Sequence, residues 1–321
     1  MTADVDSLRG HLARLLAGAN VRPRRSVEAT THHFAGGVMQ QLQGPGAAIR
    51  RGAWLLIVWM SSSAIVHAQS RPGARALEIA VEDEADPWSR KDGSGYVNDL
   101  VRAAFAAAGV DVTLLVMPYA RCKQMAIRGT LPACASMSAN VLKPDPVTFS
   151  ATPLFVASSD YFERSDRSLH ARSASELPRG TVVGVVLGYE YPASIYRLSR
   201  DSIIVLDYSA SETINLHKLV AGRIDAAMVN YDFLKTVDYV VESAGVKGKV
   251  RKLFSAGTLP AYIGFSQKNE QASWAADRYA KGVAIIAANG TSARIRDAWA
   301  MRVNAHLAAQ RAKAQKRVLP K

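Results

Sequence analysis

Two cysteines, Cys122 and Cys134, stand in 321 residues, so a disulfide-dense miniature scaffold and a multi-cysteine metal site are both excluded. The seven histidines are scattered, and His32-His33 fall in an N-terminal stretch with no clear periodicity, so the chain offers no zinc-ligand spacing. No metal or cofactor is expected. Aromatic residues make up only 7% and do not interleave with a basic face, which removes the stacking platform a nucleic-acid binder needs. Also absent are Gly-x-Ser-x-Gly, a phosphate-binding glycine loop followed by Lys-Ser/Thr, and His-Glu-x-x-His, so no motif marks a nucleophile, nucleotide or zinc-hydrolase site. No apolar run is long enough to span a bilayer: Gly52 to Ala68 is interrupted by Ser61-Ser62-Ser63.

What remains is a chain with 49% hydrophobic residues, enough for a sizeable core, and a net charge of +13. The basic excess is spread out and thickens only in Arg311-Ala312-Lys313-Ala314-Gln315-Lys316-Arg317, read as the solvated, frayed part of a C-terminal tail over 307–321. Residues 49–68 read as a secretory signal peptide. Arg50-Arg51 supply the positive start, Ala53 to Met60 the apolar core, and Val66-His67-Ala68 a small-x-small cleavage site before Gln69. Residues 1–48 read as a poorly ordered extension, with Met39 as an alternative start. Export into an oxidising compartment makes a Cys122–Cys134 disulfide the expected pairing, since a helix and the strand after it can bring the two together across Gly129; the alternative is two buried thiols.

The mature chain alternates strand and helix, which implies mostly parallel sheets. Short strands are expected at Leu77–Val81, Val110–Val116, Ala133–Met137, Thr181–Leu187, Ile203–Leu206, Ile224–Val229 and Ala261–Phe265. Between them lie helices carrying Val97 to Ala108, Arg121 to Arg128, Tyr231 to Glu242 and Trp274 to Ile286, with a last helix around Ile295 to Trp299. Ser209-Ala210-Ser211-Glu212 reads as a capping box. Two stretches, Arg121 to Met137 and Leu216 to Tyr231, repeat one logic: a helix stops at a glycine and a buried strand then delivers polar groups at its carboxyl end, where ligands bind in open α/β sheets. One such unit per lobe implies two lobes facing a cleft. Residues 74–156 with 258–306 form lobe 1 and residues 157–257 lobe 2, with crossings near Pro153–Ser158 and Gly257–Gly264 acting as a hinge.

Several pieces in order carry a family resemblance. They are Leu77–Val81, Gly95-Tyr96-Val97-Asn98-Asp99-Leu100, Phe149-Ser150 with Pro153-Leu154-Phe155, Val183-Gly184-Val185 before Gly188, and Ala221-Gly222-Arg223-Ile224-Asp225-Ala226. Together they cover roughly Ala76 to Trp299, and the chain resembles the extracellular solute-binding proteins of family 3, polar amino-acid-type receptors of bacterial ABC importers. The resemblance implies an α/β, two-lobe periplasmic binding protein-like fold (type II), each lobe a mostly parallel sheet flanked by helices, joined by two hinge strands. It further implies a periplasmic monomer that takes a small polar solute, partners an ABC transporter permease, and meets the membrane only through that transporter. Relatives of the fold include a periplasmic cyclohexadienyl dehydratase and ligand sensors, so a lyase and a sensor are the alternative readings.

Such receptors hold the ligand carboxylate with an arginine six residues before the Phe-Ser pair, and the ammonium with an aspartate after the Gly-x-x-Asp strand. The matching positions here carry Lys143 and Asn230. Lysine lacks the bidentate fork and asparagine lacks the charge, so standard α-amino acids are expected to bind poorly. Position adds further ligand-contact candidates: Asp83, Glu84 and Trp88 after the first strand, Tyr119 and Arg121 before the short helix, Ser136 and Ser138 at a strand end, and Tyr189 and Glu190 after Gly188. Trp88 and Tyr119 serve equally well as lobe packing, Glu84 as a solvated charge, and Arg121 as the partner of a neighbouring acid. Asp225 reads as structural.

Overall fold

The computed structural model describes residues 77–139 and 144–318. The expected signal peptide and extension, and Lys143, lie outside the described residues. The first lobe opens with β1 (Leu77–Glu82), followed by a small hairpin of β2 (Glu84–Ala85) and β3 (Ser89–Arg90). Helix α1 (Tyr96–Ala107) and β4 (Val112–Met117) come next, then α2 (Tyr119–Arg128), β5 (Ala133–Met137) and β6 (Val147–Phe149). The chain crosses on β7 (Phe155–Arg164) and builds the second lobe. Its elements are β8 (Thr181–Val186), α3 (Ala193–Arg200), β9 (Ile204–Ser209), α4 (Glu212–Val220), β10 (Ala226–Tyr231) and α5 (Val237–Ser243). It returns on β11 (Val250–Ser266) and closes with α6 (Ala272–Ala288) and α7 (Thr291–Val318).

Strand β11 is the spine of the arrangement. Its 17 residues run from Val250 to Ser266: Val250–Ala261 pair antiparallel with β7, and the end pairs with β5 and β6. The order is β4-β1-β5-β11-β7-β10-β8-β9, with parallel pairs inside each lobe and the two antiparallel crossing strands in the middle. The expected crossings near 153–158 and 257–264 therefore fall on two adjacent, hydrogen-bonded strands. From the sequence, only Ala261–Phe265 of β11 reads as strand, because Arg251-Lys252 and Gly257 break the apolar run.

Each lobe has cores on both faces of its sheet. In the first lobe Ile79, Val81, Phe105, Phe265 and Trp299 pack on one side, and Tyr119, Cys122, Cys134 and Met137 on the other. In the second, Val183, Ile195 and Met228 pack on one face, with Leu216, Val229 and Val241 on the other. Helix α2 ends at Gly129 with φ 82°, the left-handed cap read from the sequence. The disulfide Cys122–Cys134 joins α2 to β5, with Cα atoms 5.5 Å apart.

Three expectations are corrected. The helix expected from Tyr231 begins only at Val237, because Asp232 accepts backbone N–H bonds from Leu234 and Lys235 and folds residues 232–236 into a loop. Ser211, not Ser209, caps α4, and Glu212 turns to Asn230 and Lys235 instead of reaching back across a capping box. The tail is not frayed through the described residues: α7 continues to Val318, and Val303 and Leu307 pack on Tyr239 of α5. Trp299 on the same helix belongs to the first lobe's core and donates from Nε1 to Asp99 at 2.8 Å. Helix α7 therefore touches both lobes.

Candidate functional site

A cavity of about 40 Å³ lies where the lobes meet, floored by the crossing strands. Residues two apart on a strand share a face, so β7 presents Phe155, Ala157 and Ser159 to it and β11 presents Leu259 and Ala261. The first lobe adds Glu82 from the last position of β1, Trp88 from the β2–β3 hairpin, Tyr119 from the start of α2, and Ser136 and Ser138 from the end of β5. The second lobe adds Tyr189 and Glu190 from the β8–α3 connection and Asn230 from the end of β10. Both helix–glycine–strand units thus deliver polar groups at strand carboxyl ends.

The walls touch directly. Tyr189 of the second lobe donates its hydroxyl to Glu82 of the first at 2.5 Å. In return, Tyr119 and Lys123 of the first lobe donate to the two oxygens of Glu190 at 2.7 and 2.6 Å. The rings of Tyr119 and Tyr189 meet edge to face with centroids 5.1 Å apart. Gly188, at φ 91°, permits this approach, since a Cβ there would stand 2.8 Å from the Cα of Ala120 in the other lobe. Trp88 is held on three sides: stacked on Phe155 at 4.1 Å, donating to Asp232 at 3.0 Å, and under the ammonium of Lys235 at 4.5 Å. Lys235 is itself paired with buried Glu212, which accepts the backbone N–H of Asn230 at 2.7 Å. The side-chain oxygen of Asn230 accepts from Ser159 at 2.5 Å.

Burial sets the electrostatics. Glu82 is only 4% exposed and makes no ion pair among the described residues; loss of hydration pushes its pKa up to about 8, against the bond from Tyr189 and the field of Lys235. Glu190 is raised too, by burial, although Lys123 and Tyr119 oppose the shift. Burial works against the Lys123 ammonium, but Glu190 and Asp145 outweigh it and hold that pKa above its ordinary value. Among the described residues, one cleft carboxyl is therefore paired with a cation, and the other is hydrogen-bonded by a phenol instead.

Of the residues singled out in the sequence, Trp88, Tyr119, Ser136, Ser138, Tyr189, Glu190 and Asn230 come together in this cavity. Three described ones do not. Asp83 and Glu84 line a separate, larger groove of about 480 Å³ with Arg90, Glu212 and Lys235, because β1 runs to Glu82 and the next positions turn away. Arg121 is exposed, on the face of α2 opposite buried Tyr119, Cys122 and Ala126. No arginine of the described residues lines the cavity. Sequence reading missed Glu82, Phe155, Ala157, Ser159 and Lys123. The alternation Phe155-x-Ala157-x-Ser159 on an expected crossing strand was the available signal for three of them.

No protein-family model matches the chain, and no curated protein matches its sequence. Its fold is shared with many solved structures. A histidine kinase sensor domain described as similar to periplasmic binding proteins superposes with a TM-score of 0.59 at 18% identity, over 70% of this chain and 96% of that one. An ancestral arginine-binding protein bound to arginine gives 0.57 at 20% identity, covering 69% and 97%. A periplasmic binding protein of an arginine transport system from Legionella pneumophila gives 0.55 at 16% identity, covering 70% and 99%. At these identities the likeness is one of fold: this chain has the two-lobe architecture of periplasmic binding proteins, with both lobes and both crossing strands in place.

Proposed function

We propose that the protein is a periplasmic solute-binding protein that captures a small polar solute between its lobes and delivers it to an ABC importer. The observation that carries the reading is the cavity itself. It is floored by the two crossing strands and walled by polar and aromatic groups from both lobes that already engage one another. Bending of β7 and β11 exchanges those cross-lobe bonds for contacts to a solute, which is the hinge closure such an architecture supports. The binding proteins sharing the fold, and the export signal read at 49–68, support the compartment and the role.

A thermal-shift screen of the mature protein against amino acids, amines, organic acids and sugars tests capture, because a ligand that binds only the folded state raises the melting temperature. Failure of every class to do so overturns the reading. Co-purification with a permease tests delivery. One observation favours a lyase as the second reading: a buried cleft carboxyl, Glu82, that stays largely protonated at neutral pH is suited to general-acid work. Consumption of a cyclohexadienyl acid by wild type, lost in Glu82→Gln, separates turnover from binding. A solute that binds unchanged and signals through a membrane partner marks a sensor.

A further inference from the structure

The lobes meet around two carboxyls that are not equivalent. Glu190 is satisfied by Lys123 and Tyr119. Glu82 ends the first strand inside the cavity, is reached by one hydroxyl, that of Tyr189, and makes no ion pair among the described residues. Around it stand the aromatic rings of Trp88, Tyr119 and Tyr189, surfaces that favour a cation over an anion. We propose that the solute is a small organic ammonium ion without a carboxylate, an amine and not the corresponding amino acid, with its charge on Glu82 in the place the Tyr189 hydroxyl occupies. This rests on the solute-binding reading and names the class of solute.

The chemistry gives binding a proton signature. The titratable groups around Glu82 are the phenols of Tyr119 from α2 and of Tyr189 and Tyr191 from the β8–α3 connection, Glu190 across the cavity, Lys235 and Glu212 from the second lobe, and Asp83, the residue just after β1. With its pKa near 8, Glu82 is mostly a neutral acid at pH 7. An incoming ammonium favours the carboxylate, so the carboxyl O–H proton leaves to solvent as the ion pair forms. Binding therefore releases close to one proton per ligand at pH 7 and almost none above pH 9. Affinity rises with pH up to about 8 by as much as roughly tenfold per unit, the limit for one linked proton.

Matched pairs that differ only by a carboxylate test this: ethanolamine with serine, putrescine with ornithine, and tyramine with tyrosine. Calorimetry in two buffers of different ionisation enthalpy reads both affinity and proton release. The expected result is that at least one amine binds ten or more times tighter than its amino acid, with release of nearly one proton at pH 7. In Glu82→Gln, whose amide oxygen still accepts from Tyr189, that affinity falls at least tenfold and the release disappears, with no loss of melting temperature. If the amino-acid member binds more tightly in every pair, or amine binding releases no proton and ignores Glu82→Gln, the inference is overturned while solute capture stands. If neither these compounds nor any other class in the thermal-shift screen binds, both are overturned.

Discussion

The hydroxyl of Tyr189, carried by the second lobe, lies 2.5 Å from the carboxyl of Glu82 at the end of the first lobe's first strand. The two residues are 107 positions apart, and their meeting ties the closure of the lobes to the protonation of one buried acid.

Stability should fall as pH rises through the window that Glu82 controls. Its folded pKa, about 8, lies above the ordinary 4.5, so between those values the folded chain holds a proton that the unfolded chain has lost. Unfolding then gains on raising the pH, by at most about 1.4 kcal/mol per unit from this group, and the loss is complete above pH 8. Melting temperatures from pH 5 to 9 should decline more steeply in wild type than in Glu82→Gln. Parallel curves would place the acid in a hydrated environment instead.

Gly188→Ala should weaken closure. The left-handed backbone costs a non-glycine residue roughly 1–3 kcal/mol, and the new methyl would meet Ala120 of the opposite lobe at 2.8 Å. The lobes relieve the clash by parting, which breaks the Tyr119–Glu190 and Tyr189–Glu82 bonds together. Small-angle scattering should show a larger radius of gyration in the variant and a solute affinity lower by about tenfold or more. An unchanged radius would mean the contact is absorbed locally.

The Cys122–Cys134 bridge closes a short loop whose ends are 12 positions apart in sequence. Loop-closure entropy for such a span gives about 3 kcal/mol, equivalent to a melting-temperature drop of roughly 6–12 °C in a domain of this size. Calorimetry of the oxidised protein, the reduced protein and a Cys122→Ala/Cys134→Ala variant should show that fall in both altered forms. Reduction without effect would show that α2 and β5 are held by the surrounding core alone.

Helix α7 should couple the lobes. Leu307 is buried on Tyr239 of the second lobe, while Trp299 on the same helix is anchored to Asp99 of the first. Leu307→Ala should cost about 2–4 kcal/mol if the site collapses poorly. Arg311→Ala, which removes a half-exposed guanidinium from exposed Asp238 and from a buried Glu242 that keeps Lys247 as its partner, should cost about 1 kcal/mol. Denaturant unfolding of the two variants separates these magnitudes, and equal costs would assign the docking to charge instead of burial.

Much of the fold was legible because periodicity and glycine caps are local signals. Ala133–Met137 reads as a strand from its small buried residues, and Gly129 as a cap from its place after a helical run. Of the eleven candidates that the sequence offers, seven line the cavity, since strand carboxyl ends and the helix start beside them are where such groups emerge.

Three side chains show what local pattern leaves open. Leu77-Glu78-Ile79-Ala80-Val81-Glu82-Asp83-Glu84 offers three acids in a row, and which of them reaches the cavity depends on how far β1 runs before the chain turns away. Pairing with β4 through Glu82–Met117 is what carries β1 that far. On α2, Arg121 and Lys123 differ by two positions, about 200° around the helix, so the face chosen by Cys122 and Ala126 decides which cation reaches Glu190. By itself the sequence determined the alternation of strands and helices and the glycine cap after α2, because each depends on neighbours along the chain. Only the tertiary structure decided that Glu82 meets Tyr189, that Lys235 sits over Trp88 and that α7 reaches the second lobe, because such contacts depend on how separate lobes are brought together.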